Sequence, residues 1–391
     1  MTNLALNQFL RNEIERLGIP SRKVLESPQG ERVCINGEWK ISLCSNNYLG
    51  LANHPAVNEA AVQAIKQYGA GSGAARLLSG STLIHEELEH ELAEFKGTES
   101  TIVFNSGFTT NSGVIPALLR GEGNAVFSDE LNHGSLVDGC RLSRAEKYIY
   151  HHGDVDHLEK LLRNAGHCKK RMIVTDTVFS MNGDIAPLTE IVQLCEQYDV
   201  FLMVDEAHAT GILGKHARGA VESLGLEGRV DILMGTLGKA LGSVGGYIAG
   251  TKELIAYLTQ STRPFLLTTS LPASCMAAAL AAIRVIQDDP GLKDKLWYNT
   301  NFFRNGLQEL GFNTMNSKTP IVPVLIGDDE LAQRSGQRLY EEGVYVTKIG
   351  TPLVPAGTSR LRTIISAVHS EQVLKEALTV FESVGHELGI I

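Results

Sequence analysis

Apolar residues recur along this chain in two rhythms, every three or four positions in some stretches and in short β-branched runs in others. In "LIHEELEHELAEF", Ile84, Leu88, Leu92 and Phe95 fall on one stripe, which predicts an amphipathic helix. "HPAVNEAAVQAIKQYG" sets Val57, Ala61 and Ile65 four apart behind Pro55, a helix start followed by a second stripe. "STIVF", "NAVFSD", "RMIVTD", "VFLMVDE", "VDILMG" and "GGYIAG" read as strands. Amphipathic stretches such as "DVDHLEKLL" and "LTEIVQLCEQYD" lie between several of them. Strands alternating with helices predict an α/β domain at 46–285, a mostly parallel sheet covered on both faces.

The pattern changes further on. "TPIVPVLIGD", "GVYVT" and "SRLRTIISA" read as strands, interleaved with the helical "DELAQRSGQRLYEE" and "SEQVLKEALTVFESVGHEL". That predicts a smaller α+β domain at 286–391. Residues 1–45 read as a helix and a short strand region packing on one of the two.

Composition narrows the partners. A formal charge of −9 over 391 residues argues against a nucleic-acid surface or an anionic membrane face, which need clustered basic residues. The longest helix-like apolar run, near "CMAAALAAI", is too short to span a bilayer, and the N-terminus lacks the apolar core of a signal peptide. None of the six cysteines stands in a C-x-x-C pair, so they read as reduced thiols of a cytoplasmic protein.

Ligands of parallel α/β sheets gather at the carboxyl ends of the strands, and four such ends carry chemistry here. "STIVF" runs into "NSGFTTN", where Ser106, Gly107 and Phe108 open a helix whose free N–H groups suit a phosphate. His133 lies just beyond "NAVFSD", where a satisfied structural histidine is the plainer reading. "FLMVDEAHATG" ends a strand with Asp205 and Glu206, and His208 follows; an Asp capping the next helix is the structural alternative. One strand later, Lys239 sits in "TLGKALGS" among small residues. A lysine at such a turn loses solvent, its pKa falls, and the neutral amine can hold a carbonyl as a Schiff base. Gly238, Ala240 and Gly242 suggest that something planar approaches this backbone. Lysine, acid, imidazole and helix N-terminus together suit pyridoxal phosphate.

Other motifs do not mature. In "HEELEH", His85 and His90 are five apart, roughly 140° around a helix, so they cannot share a metal and read as a solvated face. "GAGSG" follows a helix rather than a strand, which counts against a dinucleotide site and an oxidoreductase. His151 and His152 read as caps of a strand.

"SNNYLGL", "GSGAARLLSG", "FNSGFTTN", "SDELNHGSLVDG", "VTDTVFSMNGD", "VDEAHATGILG", "GTLGKALGSVGG" and "RLRTIISAVH" appear in an order that resembles the α-oxoamine synthases, fold-type I pyridoxal-phosphate enzymes, over nearly the whole chain. Glu206 stands where a second Asp is commoner in that family. The resemblance implies that Lys239 holds the aldehyde of pyridoxal 5'-phosphate and later acts as base. It also implies that Asp205 pairs with the ring nitrogen, that His133 stacks on the ring, and that His208 and Ser180 meet its phenolic oxygen. Gly107, Phe108 and Thr236 hold the phosphate on this reading, and Thr269 reaches the phosphate of a second subunit in a homodimer with shared sites. Asn47 and Arg362 meet the amino acid, Arg362 clamping its carboxylate. Arg360 shares a strand face with Arg362 by period-two alternation and is the other candidate, with a structural ion pair open for either. The implied reaction is Claisen-type acylation of an amino acid by an acyl-CoA or acyl-carrier-protein thioester. "GSGAARLLSG" and "DELNHGSLVDGCRLSRA" lean toward members that use L-alanine and a pimeloyl thioester. "RPFLLTTSLP" leans toward glycine and acetyl-CoA.

Overall fold

The computed structural model describes residues 4–17 and 22–391. After the helix Leu4–Leu17, strands β1 (Arg32–Ile35) and β2 (Glu38–Ser42) form a hairpin. Its two-residue turn is Asn36–Gly37, both left-handed with φ 51 and 75, the turn whose twist suits paired strands.

Seven strands build the large sheet: β3 (Ser100–Phe104), β4 (Asn124–Asp129), β5 (Glu146–Tyr150), β6 (Lys170–Asp176), β7 (Phe201–Asp205), β8 (Ile232–Thr236) and β9 (Gly246–Gly250). Their order is β3-β9-β8-β7-β6-β4-β5. The neighbours from β8 to β5 are parallel, whereas β9 runs antiparallel to both β8 and β3. Residues 237–245 are too few for a crossover, which needs a dozen or more, so β9 can only return alongside β8. Val126, Val174, Met203 and Ile248 fill one side of the sheet, and Phe127, Ile173, Leu202 and Tyr247 the other. The chain is thus α/β, with a mixed but mostly parallel sheet.

Leu88, Leu92 and Phe95 bury the stripe of helix Leu83–Lys96 as its spacing predicts. The stripe of helix Pro55–Tyr68 matches expectation at Val57 and Ala61 but departs from it at Ile65. Val57 and Ala64 are buried, Ala64 against Ala273 and Ala277, while Ile65 is 46% exposed. Alanine at the contact lets the two helices approach closely, and a bulkier residue is turned outward.

Strands β10 (Ile321–Gly327), β11 (Val344–Tyr345), β12 (Thr347–Ile349) and β13 (Ser359–Ile364) complete the fold. Antiparallel pairing gives the order β10-β13-β12, and β11 lies parallel to β2. Ile41 and Leu43 therefore join Phe303, Val322, Leu361, Leu374 and Phe381 in one core with the C-terminal helices. Among the described residues no helix is long and apolar enough to cross a membrane.

Candidate active site

Four carboxyl ends of the sheet converge on one locus. Asp205 closes β7, directly beside Asp176 at the end of β6, and both side chains are buried. Asp205 Oδ2 accepts a hydrogen bond from Asn111 Nδ2 at 2.7 Å, and Oδ1 accepts from the amide of Ala207 at 2.8 Å. A carboxylate gripped on both oxygens cannot swing. Burial, and then the charge of Asp205, push Asp176 well above the usual carboxylate range. Asp176 Oδ2 also accepts from the amide of His133 at 2.6 Å, which anchors the histidine's loop.

Asn111 links the acid to the imidazole. Its Nδ2 also donates to Ser135 Oγ at 3.0 Å, and Ser135 Oγ lies 2.7 Å from His133 Nδ1. The Ser135 amide donates to the same nitrogen, so Nδ1 accepts and the ring proton of neutral His133 sits on Nε2. Burial and the positive charge of Lys239 lower His133, with Asp205 pulling the other way. His208 is held similarly. Tyr48 OH lies 2.7 Å from its Nδ1, and burial raises the phenol above its ordinary pKa, so the phenol donates and Nε2 carries the proton. Burial, with the charges of Lys239 and Arg362, pushes His208 well below the usual imidazole range.

Lys239 follows β8 in a tight turn. Its amine has no hydrogen-bond partner among the described residues. Burial pushes it down to about 8, against the opposing pull of Asp205 and Asp176. Two of the small residues around it serve backbone packing. A Cβ at Gly242 (φ +62) would lie 2.5 Å from the Ala52 nitrogen, and Ala240 presses on Gly211, whereas Gly238 has room for a methyl group. Thr236 Oγ1 donates to Gly245 O at 2.8 Å and accepts from Gly238 N at 3.2 Å, so its hydroxyl closes this turn.

Across the locus, Ser106 caps the helix Gly107–Leu118 by accepting from the Thr109 amide at 3.1 Å. The amides of Gly107 and Phe108 have no acceptor among the described residues, and the Phe108 ring meets His133 edge-on at 6.5 Å. Arg362, on β13, donates through Nε to Ser180 O at 2.6 Å and through Nη2 to Asn46 Oδ1 at 3.3 Å. Arg360 reaches the same loop through Nη1, which donates to Asn182 Oδ1 at 2.5 Å, while its Nε donates to Thr358 O at 2.9 Å just before β13. Asn47 turns its Oδ1 to the Ala52 amide at 3.0 Å and so holds the turn that abuts Gly242. Thr269 is exposed, and its carbonyl accepts from Asn105 beside the Ser106 cap.

The histidines outside this locus divide. His90 is exposed as expected, but His85 is buried, bonded to Thr82 and to Leu271 O at 3.0 Å. His152 bridges Asp129 at 3.0 Å and Asp184 at 2.7 Å. Burial disfavours its charge, but the two carboxylates outweigh that and raise it to about 10. It ties the end of β4 to the loop carrying Ser180. The "GAGSG" glycines follow helix Pro55–Tyr68 with no strand before them. A cleft of about 740 Å³ lies at the opposite, amino edge of the sheet, among Phe201, Asp231, Gly250 and Leu254.

Known proteins resemble this chain along nearly its whole length. The family model for aminotransferase class I and II matches residues 38–381. A protein of Symbiobacterium thermophilum described as 8-amino-7-oxononanoate synthase is 50% identical over 99% of this chain and 100% of its own. One of the same description from Thermoanaerobacter pseudethanolicus is 49% identical over 98% of each chain. A solved structure of serine palmitoyltransferase with pyridoxal phosphate as its internal aldimine covers 100% of both chains at 34% identity and a TM-score of 0.93.

Proposed function

The chain belongs to the class I and II aminotransferase family and, within it, to the α-oxoamine synthases; from that premise we propose that it condenses L-alanine with a pimeloyl thioester. Carbon dioxide and the free thiol leave, and 8-amino-7-oxononanoate, a biotin precursor, is formed. The observation that carries this reading is a desolvated lysine amine without a partner, poised near a doubly anchored aspartate at the carboxyl edge of the sheet.

The cofactor is pyridoxal 5'-phosphate, and the residues present fit it. Two open amides at a helix start would take its phosphate, an amine whose pKa is lowered would take its aldehyde, and a fixed carboxylate would take its ring nitrogen. When bound, it supplies an electron sink for charge developing on the amino acid's α-carbon. Gly107, Phe108 and Thr236 would hold the phosphate, and Thr269 would contribute to the phosphate site of a second subunit in a homodimer. His208 and Ser180 would meet the phenolic oxygen. Lys239 Nζ takes the proton from the α-carbon, for which an amine lowered to about 8 is suited. The α-carbon then displaces the thiolate from the acyl carbon, His133 Nε2–H hydrogen-bonds the ketone oxygen, and once carbon dioxide leaves, Lys239 Nζ returns its proton to the α-carbon while solvent protonates the thiolate. The thioester is of coenzyme A or of a carrier protein, and the reaction runs in the cytoplasm.

Thiol release with L-alanine and pimeloyl-CoA should exceed that with glycine and acetyl-CoA. Faster release with the glycine pair would replace the substrate assignment while leaving the family reaction intact.

Arg362 clamps the substrate carboxylate, since two of its nitrogens are fixed and the head is prepaid in orientation. Arg362→Ala should raise KM for the amino acid about 10- to 100-fold, the loss of a charge-assisted pair. Arg362→Lys should not restore it, because an ammonium lacks the planar fork. An unchanged KM in both variants would assign the clamp elsewhere.

A further inference from the structure

At the amino edge of the large sheet, a full strand's length from the site above, three side chains of different chemistry point at one another. Glu146 is the first residue of the edge strand β5, and His167 and Cys168 lie in the turn that enters β6. His167 Nε2 is 3.6 Å from Glu146 Oε2, Cys168 Sγ is 3.8 Å from the same oxygen, and Sγ is 3.6 Å from Nε2. The three atoms therefore form a nearly equilateral triangle. A cation seated about half an ångström above its plane lies about 2.1–2.3 Å from every corner, the range of zinc–sulfur, zinc–nitrogen and zinc–oxygen bonds.

We propose that Glu146, His167 and Cys168 form a zinc site, with the fourth position open to solvent. The donor set suits zinc: a soft thiolate, a neutral imidazole and one carboxylate, whose two negative charges cancel the ion's. Glu146 is oriented for this by Tyr148, whose OH donates to Oε1 at 2.7 Å and leaves Oε2 facing the other two. Glu146 and His167 are exposed, so an ion has an entry path, while Cys168 is buried beneath them. Zinc here ties the edge strand to the turn before β6. The site is remote from the carboxyl ends where the condensation takes place.

The test is equilibrium dialysis of the holoenzyme against zinc chloride, with metal counted per chain and Cys168 alkylation followed by peptide mass spectrometry. One zinc per chain is expected, with alkylation of Cys168 slowed by zinc and restored by a chelator. Cys168→Ser, His167→Ala and the exposed Glu146→Gln should each weaken binding by about 10- to 100-fold or more, with thiol release unchanged. The proposal is overturned if the holoenzyme shows no saturable zinc site. It is equally overturned if stoichiometry and affinity survive both the Cys168 and the His167 replacements.

Discussion

Replacing Lys239 with alanine is expected to leave cofactor bound but abolish condensation, lowering thiol release by about four orders of magnitude. The residue has two roles, anchor of the cofactor aldehyde and base toward the α-carbon, and alanine removes both. Binding survives because the phosphate, the ring nitrogen and the ring face are met by other groups. Lys239→Arg should fail as completely, since a guanidinium neither forms the carbonyl adduct nor gives up its proton near neutrality. The wild type reduced with borohydride should carry a covalent label on the peptide containing Lys239, and the alanine variant should carry none. Turnover within tenfold of wild type in either variant would remove Lys239 from the mechanism.

The large sheet was legible because its strands are short apolar runs bounded by turn residues. "STIVF" and "NAVFSD" coincide with β3 and β4 to the residue. β5 was not legible. "EKYIY" is an edge strand with only Tyr150 buried, so it carries no run and no clean alternation. The antiparallel direction of β9 could have been read from the nine residues between β8 and β9, a length rule rather than a pattern rule.

Site residues that end strands were readable, because a charged group after an apolar run is conspicuous. Their supports were not. Asn111 sits mid-helix among apolar neighbours, and only the fold brings its amide to both Asp205 and Ser135, which lie 94 and 24 residues away. Tyr48 and Asp176 were visible as parts of motifs, but the phenol's bond to His208 crosses 160 residues. Arg360 and Arg362 share a face, as alternation predicts, and both reach the loop between β6 and the helix Leu188–Tyr198. Partner choice separates them: Arg360 is held by the Asn182 side chain and the Thr358 carbonyl, Arg362 by the Ser180 carbonyl and the Asn46 side chain. Spacing cannot encode that distinction.

Glu206 shows how much of this site is built for stability. It follows Asp205 in sequence, yet it turns away from the chemistry and pairs with Lys96, both side chains fully buried. Lys96 also donates to Arg218 O, and Glu206 Oε1 accepts from the Val221 amide at 2.9 Å. A Cβ on Gly219 would stand 2.5 Å from the Glu206 carboxylate oxygens, so the chain is folded tightly around the pair. Glu206→Ala leaves an ammonium in the interior without its counter-charge. That should cost about 3–5 kcal/mol and lower the unfolding midpoint by roughly 4–6 °C. Lys96→Met alone should cost a similar amount by stranding the carboxylate. The double variant Lys96→Met/Glu206→Leu removes both charges and should recover most of the loss, since replacing a buried pair with apolar groups is often close to neutral. Calorimetry on the three variants measures the coupling directly. Additive losses in the double variant would mean that the two charges act independently.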